Sequence, residues 1–183
     1  MSDRRSNRAY LSLGSNIKPE HNLPAAVHEL RAFGRVLAVS SVWESPPFAA
    51  DVTTDRTTRP AGSNFLNAAV LLETDLSPRD LYDQAIAAIE QRLGRIRDPH
   101  DKNAPRTIDI DLSLFNHHVL EFAGRRIPDP DIVKRPFVAV PLAELDPDYV
   151  HPTEGRRLAD IASRCASNSG LRPRPDVRLE ESE

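Results

Sequence analysis

Residues 107–114 alternate without a break: Thr107, Asp109, Asp111 and Ser113 are polar, while Ile108, Ile110, Leu112 and Leu114 between them are apolar. In a β-strand successive side chains point to opposite faces, so this run is a strand with one face for a core and one for a cleft. A helix of 3.6 residues per turn would scatter both sets around its circumference. The same run sets two carboxylates, Asp109 and Asp111, about 7 Å apart on one face. Ionised, they repel unless cations lie between or beyond them. Magnesium suits such a pair, because it takes oxygen ligands and is commonly held by one or two carboxylates together with nucleotide phosphates. Just upstream, Arg95, Arg97, Lys102 and Arg106 supply cations for phosphate oxygens. An Asp-x-Asp on a sheet face is also found as a plain solvated edge, and the pattern alone does not choose between the two. Four cations within about a dozen residues favour an anionic ligand.

The length of 183 residues matches a single domain able to bury a core without staples. With 24 basic and 27 acidic residues and a net charge of -3, the chain lacks the basic excess of a general nucleic-acid surface, so any phosphate site is local. Cys165 is the single cysteine and has no partner for an internal disulfide or a Cys/His metal motif. The first residues carry charge but no apolar stretch, and nowhere do 18 apolar residues run together. The expectation is a soluble, cytoplasmic monomer with neither nucleic acid nor membrane as partner.

Residues 1–8 are polar and expected to be loose, and structure begins with a short buried strand at 9–13. Gly14, Ser15 and Asn16 then form a turn, either a simple strand-to-helix connection or a place where backbone approaches a ligand. The spacing of Leu23, Val27 and Leu30 predicts a helix over 22–33, closed by Gly34, with Pro24 tolerated in its first turn. β-branched residues predict a strand over 36–44, stopped by Pro46 and Pro47. Residues 49–63 have little to bury and form either a lid or binding loop or a disordered stretch. A second apolar strand is expected over 64–74, with Phe65 and Asn67 sharing a face. Asn67 is either a ligand for something planar and polar or a satisfied turn residue.

Ser77, Pro78 and Asp80 make a strong helix start. Tyr82, Ile86, Ile89 and Leu93 give that helix its core stripe, and Gly94 ends it. Glu90 lies near the carboxyl end, where the helix dipole disfavours an anion, so it needs a cationic or hydrogen-bonding partner. After the 107–114 strand, Asn116, His117 and His118 read as a solvated turn and residues 127–131 as a proline-stiffened loop. Short helices follow over 137–145 and 158–165. Beyond residue 167 the polar tail is expected to be disordered, leaving one domain over 9–166. The order β, α, β, β, α, β is that of an α+β, ferredoxin-like sandwich, a mostly antiparallel sheet with helices packed on it.

Taken together, several signposts resemble the bacterial 6-hydroxymethyl-7,8-dihydropterin pyrophosphokinase family. They are Leu13-Gly14-Ser15-Asn16, Ser45-Pro46-Pro47, Phe65-Leu66-Asn67-Ala68, Glu90 with Gly94-Arg95, Pro105-Arg106-Thr107-Ile108-Asp109-Ile110-Asp111, and Ile127-Pro128 with Arg135 and Phe137. The resemblance covers roughly residues 10–152. It implies transfer of a diphosphoryl group from ATP, the co-substrate, to the hydroxymethyl oxygen of a reduced pterin, with release of AMP. It also implies two magnesium ions on Asp109 and Asp111, with Arg95 and Arg106 joining them in catalysis. Glu90, Arg97, Lys102, Leu112, Asp129 and Arg135 correspond to nucleotide contacts. Ser45, Pro46, Phe48, Phe65, Asn67 and Phe137 correspond to the pterin pocket. Asp129 stands where many members carry histidine, and the 96–104 loop lacks the tryptophan of some members. Those departures suit a subfamily with a modified pterin, or a non-catalytic pterin- or nucleotide-binding protein on the same scaffold.

Overall fold

The computed structural model describes residues 6–46, 64–96, 105–167 and 169–180. Strand β1 (Asn7–Ser15) is an interior strand of the sheet, antiparallel to β4 (Phe65–Thr74) on one side and to β5 (Asp109–Phe115), at the edge, on the other. β2 (Arg35–Val39) and β3 (Trp43–Ser45) pair with successive stretches of β4. The expected single strand over 36–44 is thus interrupted. Between its halves the Ser40 amide donates to Ala69 O at 2.9 Å, and the Ser40 hydroxyl, not its carbonyl, accepts from Ala69 N at 2.8 Å. A side chain has taken over one rung of the ladder, and the strand is interrupted there.

Helix α1 (Pro19–Leu30) and the helical run of α2 (Pro78–Asp80), a π-helical turn (Leu81–Ile86) and α3 (Ala87–Arg92) cover one face of the sheet. Leu23, Val27, Leu30, Ile86 and Ile89 meet Leu11, Ile108, Ile110 and Leu112 there. The other face carries α4 (Pro136–Leu145) and α5 (Leu158–Ala166), whose Leu142 and Ile161 pack with Tyr10, Leu71 and Leu114. Antiparallel pairing, helices on the sheet and the order β-α-β-β-α-β agree with the ferredoxin-like expectation. A separate hairpin of β6 (Leu120–Phe122) and β7 (Arg125–Ile127) follows β5.

Three local readings need correction. Helix α1 begins at Pro19, three residues earlier than expected, after Lys18 in a left-handed conformation. Pro24 therefore sits in the second turn, where it lacks the amide that would bond the Glu20 carbonyl. In β5, Tyr10 faces Leu114 and Leu11 faces Leu112, which leaves Ser113 as an extra residue. That bulge turns Leu114 onto the α4/α5 face and sends Phe115 to join Ile110 and Leu112. The π-helical turn shifts the helix phase, so Leu81 is fully buried and Tyr82 only partly.

The segment after α5 also differs from expectation. β8 (Arg172–Pro173) adds to the outer edge of β3, and Val177 and Leu179 are buried in the α1-side core. Each such side chain contributes roughly 1.5–3 kcal/mol of burial, enough to hold a short polar segment against the sheet. At the other end, β1 already includes Asn7 and Arg8, where looseness was expected.

Candidate functional site

β1 and β5 bring the site together. Asn16 N and Ile17 N both donate to Arg106 O, at 3.1 and 3.3 Å, while Asn16 Oδ1 accepts from Arg106 N at 2.7 Å. The buried Ser15 hydroxyl donates to Thr107 O at 2.5 Å. The turn after β1 therefore clamps the backbone that leads into β5 and aims Arg106. Gly14 is extended, and a methyl group there would sit 3.6 Å from Asn67 Oδ1, inside the cleft.

Asp109 and Asp111 share the cleft face, as alternation required, yet their surroundings differ. Asp109 is bound through Oδ1 by Arg95 and through Oδ2 by Arg106. Arg95 Nη1 also donates to Glu90 Oε1 at 2.6 Å and to Ile108 O at 3.2 Å. Glu90 Oε1 further accepts from Ile110 N at 3.0 Å. Only 4% exposed, Glu90 lies behind β5 and grips the backbone between the two aspartates. The partner its helix position demanded is Arg95. Among the described residues Asp111 has no such guanidinium pair. Burial, first, and then the charges of Asp109, Asp129 and Glu90 push its carboxyl up to about 7.

A cavity of about 290 Å³ opens between β1, the end of β3, β4, β5 and α4. Of the expected substrate residues, Ser45, Pro46, Phe65, Asn67 and Phe137 line it, together with Arg106, Asp109, Asp111, Asp129 and Arg135. Asn67 Nδ2 donates to Ser45 Oγ at 2.9 Å and to Trp43 O at 3.2 Å. The Arg106 guanidinium stands over the Phe65 ring, 5.7 Å from its centre. Flat apolar rings, one fixed amide and guanidinium groups at one end suit a planar heterocycle carrying an oxygen toward the anion site.

A second cavity, about 540 Å³, shares Asp111, Asp129 and Asp131 with the first and is also lined by Leu112, Arg125 and Arg126. Asp129 caps the 3-10 turn Pro130–Val133 by accepting from Asp131 N at 2.9 Å. Burial holds its carboxyl above the ordinary range, and that backbone bond works against the rise. Arg125 lies on the Tyr82 ring, 3.5 Å from its centre, and donates to the Tyr82 hydroxyl. Asp131, Arg125 and Arg126 were not among the residues singled out from sequence. The repeat Asp129-x-Asp131 and the paired arginines were the available signals, but nothing in their order placed them beside β5. Phe48, Arg97 and Lys102 lie outside the described residues.

The donor set fits a hard divalent cation. Two same-face carboxylates, one of them poorly compensated, leave negative potential that a dication would neutralise. Among the described residues no group of three or more His, Cys, Asp or Glu is placed to hold an ion, so phosphate and water oxygens would have to complete its shell. No helix among the described residues is long and apolar enough to cross a membrane.

Residues 10–147 match the family described as 7,8-dihydro-6-hydroxymethylpterin-pyrophosphokinase (HPPK). The chain is 38% identical over 156 residues to a 2-amino-4-hydroxy-6-hydroxymethyldihydropteridine pyrophosphokinase of Synechocystis sp., covering 84% of this chain and 73% of that one. It is 37% identical over 162 residues to the protein of the same name from Pseudomonas aeruginosa, covering 86% and 91%. Among solved structures, a Plasmodium falciparum HPPK-DHPS triple mutant superimposes with a TM-score of 0.68 at 15% identity over 89% of this chain. The chain spans 44% of that longer protein, so this likeness speaks for the fold alone.

Proposed function

Because the chain belongs to the 7,8-dihydro-6-hydroxymethylpterin-pyrophosphokinase family, we propose that its cleft carries out that family's reaction with the reduced pterin between Phe65 and Phe137 and the triphosphate of ATP beside Asp109 and Asp111. The protein is an ATP-dependent diphosphotransferase of folate biosynthesis, moving pyrophosphate from ATP to the hydroxymethyl group of the pterin and releasing AMP. The observation that supports the residue assignment is that the two cavities adjoin, with Asp111, Asp129 and Asp131 in the walls of both. A planar substrate on one side and a nucleotide on the other would bring their reacting ends together at β5.

In this reading Ser45, Pro46 and Asn67 form the pterin wall, and Phe65 and Phe137 flank the ring. Arg95, Arg106 and Arg135 neutralise phosphate charge, while Leu112, Asp129, Arg125 and Arg126 border the nucleotide side. Phe48, Arg97 and Lys102 are assigned to the same two subsites from sequence. Glu90 serves the nucleotide indirectly, by holding Arg95 and the Ile110 amide. Asp109 and Asp111 would hold two magnesium ions, which supply charge neutralisation and lower the hydroxyl pKa when bound. Phosphoryl-group transfer asks little covalent chemistry of the protein, so the chain's work is positioning and electrostatic compensation.

Incubation with ATP, magnesium and 6-hydroxymethyl-7,8-dihydropterin should yield AMP and the pterin diphosphate in equal amounts. Stoichiometric ADP, or binding with no turnover, would overturn the assignment. A panel of reduced pterins with AMP as readout tests whether Asp129 marks a modified substrate.

A further inference from the structure

We propose that Arg174, on the segment beyond the family match, is a positioning residue that holds the pterin wall of the cleft in place from outside. The proposal rests on the assignment of that wall above. β3 is three residues long, and its last residue, Ser45, together with Pro46, lines the cavity. So short a strand is weakly held by one neighbour. Here β8 supplies a second one, with Glu44 opposite Arg172 and Trp43 opposite Pro173. Directly after β8, Arg174 N donates to Val42 O at 2.8 Å.

The Arg174 guanidinium then joins three carboxylates. It reaches Glu44 Oε2 at 3.0 Å on β3, Glu20 Oε1 at 3.3 Å on α1, and both oxygens of Asp176 at 2.9 and 2.8 Å. The other Glu44 oxygen accepts from Asn64 Nδ2 at 2.9 Å, at the start of β4. On the opposite face of β3, Ser45 Oγ accepts from Asn67 Nδ2. A line of contacts thus runs from Arg174 through Glu44 and the β3 backbone to Ser45 and Asn67. Gly170, on the same segment, lies beside Pro46, where an added methyl group would meet the proline ring at 3.9 Å. Arg174 itself does not line the cavity. It acts by fixing the position of groups that do.

The test compares KM for the pterin, KM for ATP and kcat, with thermal melts to show folding, in the full chain. Arg174→Ala is expected to raise the pterin KM about fivefold or more while ATP KM and kcat stay within about twofold, since only ground-state pterin binding loses support. Glu44→Ala should do the same by breaking the link from the other end, and it carries the test if Arg174→Ala does not fold. Arg174→Lys should recover part of the loss, keeping charge toward Glu44 but not the three-way fork. Arg31→Ala removes the Arg31–Glu180 ion pair farther along the same segment and should leave the pterin KM unchanged. An equal rise in both KM values, no rise in either variant, or an effect of Arg31→Ala as large as that of Arg174→Ala overturns the proposal. Asn67→Ala separates the two levels. If it raises the pterin KM and the Arg174 and Glu44 variants do not, the positioning role alone is wrong. If it leaves the pterin KM unchanged, the wall assignment is wrong and the proposal falls with it.

Discussion

At the scale of single residues, the two aspartates of β5 are chemically unequal although sequence makes them look equivalent. Asp111 is raised above its ordinary value near 3.8 to about 7, mainly by burial. The sign follows from proton linkage. The folded state binds a proton more tightly than the unfolded state, so the associated stability is fully present below about 3.8 and is lost as pH rises through about 7. Asp111→Asn is therefore expected to raise ligand-free stability at pH 8 by roughly 1–3 kcal/mol, with the gain shrinking toward pH 4. Thermal melts at both pH values check this, and AMP release by the same variant should be nearly abolished. Asp109→Ala should cost activity and stability together, roughly 2–4 kcal/mol, because it leaves the largely buried Arg95 and Arg106 without their shared partner. Denaturant titration would distinguish the two variants by sign.

At the scale of elements, Gly34 looks like a helix stop in the sequence, but the helix ends at Leu30 and the glycine does another job. A methyl group there would lie 2.2 Å from the Glu73 carbonyl oxygen of β4. Gly34→Ala should therefore force β2 and β4 apart and lower stability by about 2 kcal/mol or more, as overpacking against backbone does. A shift in denaturation midpoint measures it. The second helical run illustrates the reverse case. Ser77 caps it as expected, accepting from Asp80 N at 3.1 Å while its hydroxyl bonds the Asp80 carboxylate. Ser77→Ala should cost about 1 kcal/mol. What the helical pattern did not reveal is the π-helical turn, which leaves Tyr82 at the edge of the core and under Arg125.

At the scale of the whole molecule, segments from both ends of the chain converge on the sheet. The 169–180 segment closes over the α1-side core with Val177 and Leu179. Removing residues 169–183 should expose that apolar surface and lower the melting temperature, with a loss of roughly 3 kcal/mol or more for the two side chains. Calorimetry of the truncated and full chains gives the comparison.

Order along the chain was enough for whatever depends on neighbours in sequence. The alternation of 107–114 sets two carboxylates on one face, the Ser77 cap starts a helix, Gly94 ends one with φ +75°, and the succession of strands and helices names the sandwich. Periodicity and capping are local physics, so they survive without coordinates. Distant packing settled the rest. The extra Ser113 in β5, the rung supplied by Ser40, the grip of Glu90 on the Ile110 amide, and the addition of β8 all depend on which segment lies alongside. In each case a backbone group or charge takes its partner from residues far away in the chain, and no window of sequence holds both.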